Sequence, residues 1–177
     1  MPATTVHDSS VVLLGRALES LRGILAKAES HAQTAGANPD GYVEARLAPD
    51  MLPLSFQVQT VCNTAKKCLE RLTGRTLQTW ADDEKTLAQL QKRVDETLEL
   101  VKSVKPEDVN GNEDGRIEIN MGKAGAMDVS RVGMVYGYTI PNAFFHLSMT
   151  YAILRAQGVP LGKGDYLASF LMPNKLS

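Results

Sequence analysis

Residues 141–158, PNAFFHLSMTYAILRAQG, decide how the chain is read. Pro141 suits a first helical position, where its missing N–H costs nothing. Gly158 stands where a left-handed cap would end the helix, and Pro160 forbids continuation. Between them Phe144, Leu147, Tyr151 and Leu154 recur at helical spacing and form an apolar stripe. His146 lies one position off that stripe, with Asn142 one turn before it and Thr150 one turn after. Such a polar ladder lines an interior cavity in a bundle, or presents an edge to water on an ordinary helix. Both readings stand at this point.

Upstream, the same kind of stripe recurs. Leu14, Leu18, Leu21, Leu25 and Ala28 predict a first helix, ending in the turn formers TAGANPDG. Gly15 and Gly23 each weaken it by up to ~1 kcal/mol relative to alanine, which suggests close packing of a neighbour at both. Leu54, Val58, Val61, Ala65, Leu69 and Leu72 predict a second helix between Pro53 and Gly74. Leu87, Leu90, Val94, Leu98, Val101 and Val104 predict a third, capped by Asp82 or Asp83 and stopped before Pro106. Trp80, in the connection, reads as a lid on one end of the core.

From residue 107 the period changes. Arg116 to Met121 alternates apolar and polar residues as a strand does, and Gly122-Lys123-Ala124-Gly125 allows a turn into Ala126 to Val129. Ser130 can start a short helix leading to the last long one. The segment after Gly158 holds Tyr166, Leu167, Phe170, Leu171 and Met172, and is expected to pack across the other helices. The fold expected is therefore all-α: one domain over residues 1–177, a four-helix bundle with a small β-hairpin before the last long helix.

The totals exclude several function classes. The chain has 177 residues, 44% hydrophobic and 22% charged, with 19 lysines and arginines against 20 acids. That near balance, with the basic residues scattered, gives no footprint for nucleic acid. No apolar run approaches the ~20 residues that cross a bilayer, and MPATTVHDSS does not read as a secretory signal. Cys62 and Cys68 fall on different sides of one helix, with ~9 Å of rise between them, too far apart to pair. They are expected reduced and buried, which fits a cytoplasmic home.

Chemistry has few candidates. Asn110, Asn112, Asp114, Gly115 and Ile117 match the start of a calcium loop, but Met121 stands where its bidentate glutamate belongs. An Asx-rich turn feeding a hairpin explains the same letters. No phosphate loop, dinucleotide fingerprint, nucleophile elbow, CxxC or HExxH motif occurs, so no cofactor is expected from motifs. What remains is a polar set that bundle geometry could gather. His146 and Asn142 come from the last helix, Gln57 and Gln59 from the second, Arg46 and Asp50 from its approach, with Tyr138 and Tyr151 flanking the histidine. A neutral His146 in a pocket could accept or donate a proton near pH 7. Equally, it could donate to a backbone or glutamine oxygen and do nothing more.

The stretches EARLAPDMLPLSFQVQ (44–59) and PNAFFHLSMTYAILRAQGVPLGKGDYL (141–167), with the spacing between them, resemble the DinB/YfiT-like superfamily of four-helix proteins. Within it the chain is similar to a branch known only as a domain of unknown function. The resemblance implies a divalent metal, often nickel or zinc, held by one histidine of the second helix and an HxxxH pair of the fourth. It also implies, for some members, thiol-dependent transfer or isomerisation. On that pattern His146 falls on the second histidine of the pair, Asn142 on the first, and Gln59 at or near the second-helix ligand. Amides are poor ligands for metals that prefer imidazole. The expectation is thus a small-molecule-binding bundle with a mostly metal-free pocket around His146, catalysing an isomerisation or cyclisation. The alternatives are a non-enzymatic homodimer and a residual metal-dependent thiol transferase.

Overall fold

In the computed structural model, which describes residues 4–120 and 125–174, the four apolar stripes become the four long helices of a bundle. These are α1 (Leu13–Thr34), α2 (Leu54–Thr73), α3 (Leu87–Lys102) and α6 (Ile140–Ala156). Shorter helices α4 (Pro106–Val109), α5 (Arg131–Met134) and α7 (Lys163–Leu171) and strands β1 (Arg116–Asn120) and β2 (Ala126–Ser130) complete it. Leu14, Leu18, Leu21 and Leu25 of α1 are fully buried, as are Val58 and Val61 of α2, Leu90 and Val94 of α3, and Leu147 and Leu154 of α6. Burying each such side chain contributes roughly 1.5–3 kcal/mol, which is what holds the stripes together.

Helix ends follow local chemistry. Gly74 closes α2 with φ of 72° and Gly158 takes φ of 86° just past α6, both in the left-handed region glycine tolerates. The start of α3 differs from expectation. Thr86, not Asp82 or Asp83, accepts from the Gln89 N–H, and the Gln89 side chain returns a bond to the Thr86 N–H. Asp82 is instead drawn to a buried arginine.

The last helix also starts earlier than Pro141. Ser130 caps α5 by accepting from the Gly133 N–H at 3.0 Å, and a π-helical turn, Val135–Thr139, runs on into α6. Pro141 has no N–H to offer, and its ring crowds the carbonyl a turn back. The helix widens into π pitch just ahead of it.

β1 and β2 pair antiparallel, Ile117 opposite Val129 and Ile119 opposite Met127. Ile119 is buried, and the Arg131 guanidinium, donating to the Leu72 carbonyl, ties the base of the hairpin to α2. Met121 and the Gly122-Lys123-Ala124 turn lie outside the described residues. Asn110, first of the calcium-like letters, accepts from the His7 N–H at 3.0 Å, and β1 follows the turn where a second helix would be needed.

Gly15 and Gly23 divide. A Cβ at 15 would meet Val101 at 3.3 Å, so α1 approaches α3 closely there. Nothing lies within 4 Å of a Cβ at 23, so close packing does not explain that glycine. As expected of the tail, α7 crosses α1: Lys27 Nζ meets both Asp165 oxygens at 2.9 Å, and Ser20 donates to the Tyr166 carbonyl. Phe170 packs on Phe144 of α6 with ring centroids 5.6 Å apart. Among the described residues no helix is long and apolar enough to cross a membrane.

Candidate functional site

Gln57 and Gln59 sit two residues apart on α2, roughly 200° around the helix, so they cannot serve one groove. The structure separates them. Gln57 faces α6, where its Oε1 lies 2.7 Å from His146 Nδ1, while its Nε2 donates to the Leu52 carbonyl at 3.0 Å. Gln59 points to another side of α2 and donates to Glu84, in the connection ahead of α3, at 2.8 Å. The expected meeting of Gln59 with His146 does not occur.

His146 is half-buried on the α2–α6 face. The rings of Phe56 and Phe145 stand edge-on to it, with centroids 5.8 and 5.2 Å away. Both are solvent-exposed, at 37% and 56%, and Leu52, whose carbonyl holds Gln57, is 50% exposed. Burial lowers the His146 pKa below its usual value, because the charged form loses hydration there. Its backbone carbonyl accepts from Thr150, so the third rung of the ladder stabilises the helix.

Asn142, one turn earlier, donates to Thr64 on α2 at 2.8 Å. Thr64 was not singled out by sequence; its signal was its place seven residues beyond Gln57, on the same helical face. Arg46 lies close by, donating to the Met51 carbonyl at 2.6 Å, next to the carbonyl that holds Gln57. Asp50 is exposed. Tyr138 lies under the Arg71 guanidinium at 5.9 Å. Tyr151 donates to the Leu161 carbonyl and packs on Tyr166. None of these last three makes a hydrogen bond or ring contact with His146 among the described residues.

A second polar cluster fills the other side of α2. Arg93 of α3, its side chain 1% exposed, donates to Glu84 and Asp82 at 2.6 Å each and to Asn63 at 3.0 Å. Its guanidinium carbon stands over the Trp80 ring, 4.0 Å from the centroid, and Lys66 Nζ stands 5.6 Å from the same ring. Trp80 therefore clamps the 74–86 connection to α2 and α3. Cys62 and Cys68 are buried, and burial pushes both thiols up to about 12, so they stay protonated.

The three histidines remain apart: His7 Nε2 is 3.2 Å from the Val104 carbonyl and His31 Nδ1 is 3.1 Å from the Tyr42 hydroxyl. Among the described residues no three His, Cys, Asp or Glu side chains converge on a point. With Asn142 committed to Thr64 and Gln59 to Glu84, the site does not fit the divalent metal implied by the superfamily. Surface hollows of about 330 and 390 Å³ lie elsewhere, one lined by His7, Gly15 and Val101, the other by Trp80, Glu96 and Glu99.

Residues 6–167 match a family described as "Domain of unknown function (DUF1993)". A crystal structure of a DinB family member protein from Shewanella denitrificans is similar, with 33% sequence identity and a TM-score of 0.82. The alignment covers 91% of this chain and 90% of that one. No curated protein matches the sequence.

Proposed function

The chain belongs to the DUF1993 family and has the DinB-like fold, and on that premise we propose that it binds a small organic molecule at His146. The proposed chemistry is a proton transfer, as in an isomerisation or cyclisation, with His146 accepting the proton. One observation carries this reading: a half-buried imidazole with a lowered pKa, its Nε2 without a hydrogen bond among the described residues, stands between two exposed phenylalanine rings. A neutral ring near pH 7 is ready to take a proton, and the rings offer apolar surface to hold a flat or aliphatic ligand. Asn142 is near enough along α6 to border the ligand. Gln59, Tyr138 and Tyr151 are left out of the proposed site.

The test is an NMR screen of the full chain with neutral aromatic carbonyl compounds as probes. Shifts at His146, Phe56 and Phe145 that vanish in His146→Ala support the reading. Binding that is undiminished in His146→Ala, or that maps elsewhere, overturns it. The exposed Leu52, Phe56 and Phe145 also favour a second reading, in which another copy of the chain covers this face. A stable interface needs about 800 Å² on each partner, so these residues would form only its centre. Light scattering of Phe145→Glu beside the native chain decides it: a native dimer that becomes monomeric supports this reading, and a native monomer refutes it.

A further inference from the structure

We infer that Gln57 is a positioning residue that holds His146 in one tautomer, with the proton on Nδ1 and the lone pair on Nε2. The inference rests on the reading of His146 as a proton acceptor, but its geometry is independent of any ligand. A backbone carbonyl can only accept, so the Leu52 oxygen, 3.0 Å away, fixes the NH₂ end of the Gln57 amide. That leaves Oε1 facing the imidazole at 2.7 Å, and an amide oxygen also can only accept. Nδ1 must therefore be the N–H. In a neutral ring the other nitrogen is then bare.

The relay thus runs Leu52 C=O, Gln57 NH₂, Gln57 C=O, Nδ1–H, with Nε2 as its open end. Free imidazole side chains populate both tautomers, so fixing one removes an equilibrium that would otherwise dilute the reactive form. The anchor is itself held: the preceding carbonyl, of Met51, accepts from Arg46, and Gln57 is 4% exposed. A proton leaving a ligand would pass to Nε2, giving an imidazolium whose Nδ1–H remains bonded to Gln57 Oε1. The orientation selects ligands that present an acidic O–H, N–H or C–H to the ring edge, and disfavours those that need a donor from it.

The test is ¹⁵N NMR of the His146 side chain in the full chain without ligand, at a pH above its titration. The native protein is expected to show a protonated, pyrrole-type Nδ1 and a bare, pyridine-type Nε2. In Gln57→Leu both resonances should move toward the exchanging mixture of a free side chain. Gln57→Glu keeps an acceptor at Nδ1 but loses the donor to the Leu52 carbonyl, and in a folded variant Nδ1 should stay protonated. A protonated Nε2 in the native spectrum overturns the inference by itself, whether or not either variant folds. So does an unchanged pattern in a folded Gln57→Leu. Loss of ligand binding alone, with the tautomer as stated, would instead sink the binding proposal.

Discussion

Two polar clusters flank α2, and they are built to opposite rules. Around Arg93 both terminal guanidinium nitrogens are paired: two carboxylates, an asparagine oxygen and an indole face close on one guanidinium that water does not reach. Among the described residues its Nε lacks a partner. Around His146 the pairing is incomplete among the described residues, since one ring nitrogen is bonded and the other is open at a half-exposed surface. A satisfied buried charge network holds a connection in place; an unsatisfied titratable group beside exposed aromatic rings is available for a ligand.

The contrast can be broken most forcefully at Arg93. Arg93→Met keeps an apolar stem but strands Glu84 and Asp82 against the helix pair. Breaking a buried pair costs roughly 3–5 kcal/mol, and Asp82, partly exposed, argues for about 3. In a chain of this size that lowers the melting temperature by about 10 °C, read by circular dichroism. An unchanged melting temperature would mean that the cluster is not structural.

Next come the two glutamines. Gln59→Leu removes one bond to Glu84, which Arg93 still holds, and should cost about 1 kcal/mol in urea unfolding. Gln57→Leu should cost no more than about that, because the Leu52 carbonyl and the half-exposed ring can turn to water. Its larger effect should be on the His146 ¹⁵N spectrum, which Gln59→Leu leaves untouched. Equal spectral effects of the two would erase the distinction between the clusters.

The smallest effect is a pH dependence. Burial lowers the His146 pKa in the folded chain, so the unfolded chain binds that proton more tightly. Stability from the neutral ring is then complete above the unfolded value of ~6.5 and is lost as pH falls through that value toward the folded one. His146→Gln removes this loss. Relative to the native chain, the variant should gain stability between about pH 8 and about pH 5, measured by urea titration. A native-minus-variant difference that stays flat would show that burial does not penalise the charged ring.

Much of this could be read from the letters. The stripes from Leu14 to Ala28, Leu54 to Leu72 and Leu87 to Val101 are buried along their length, because helical period fixes which side chains share a face. Gly74 and Gly158 ended their helices for the same local reason. The NxxxH pattern was visible too, with an amide standing where the superfamily has an imidazole. What could not be read was pairing between elements. Asn142 and Thr64, or His146 and Gln57, are far apart in the chain, and their meeting depends on how α2 and α6 rotate against each other. Sequence placed Gln57 and Gln59 in one set; rotation about α2 sent them to different neighbours.

By itself, then, the sequence determined the helices and their buried faces, because each depends on residues within a few turns. Only the tertiary structure decided that Asp82 serves Arg93 rather than a helix cap, and that Trp80 is a clamp. It also decided which nitrogen of His146 stays open. Those outcomes turn on hydrogen-bond directions across helices, where a rotation of one residue's arc changes the partner and, with it, the chemistry.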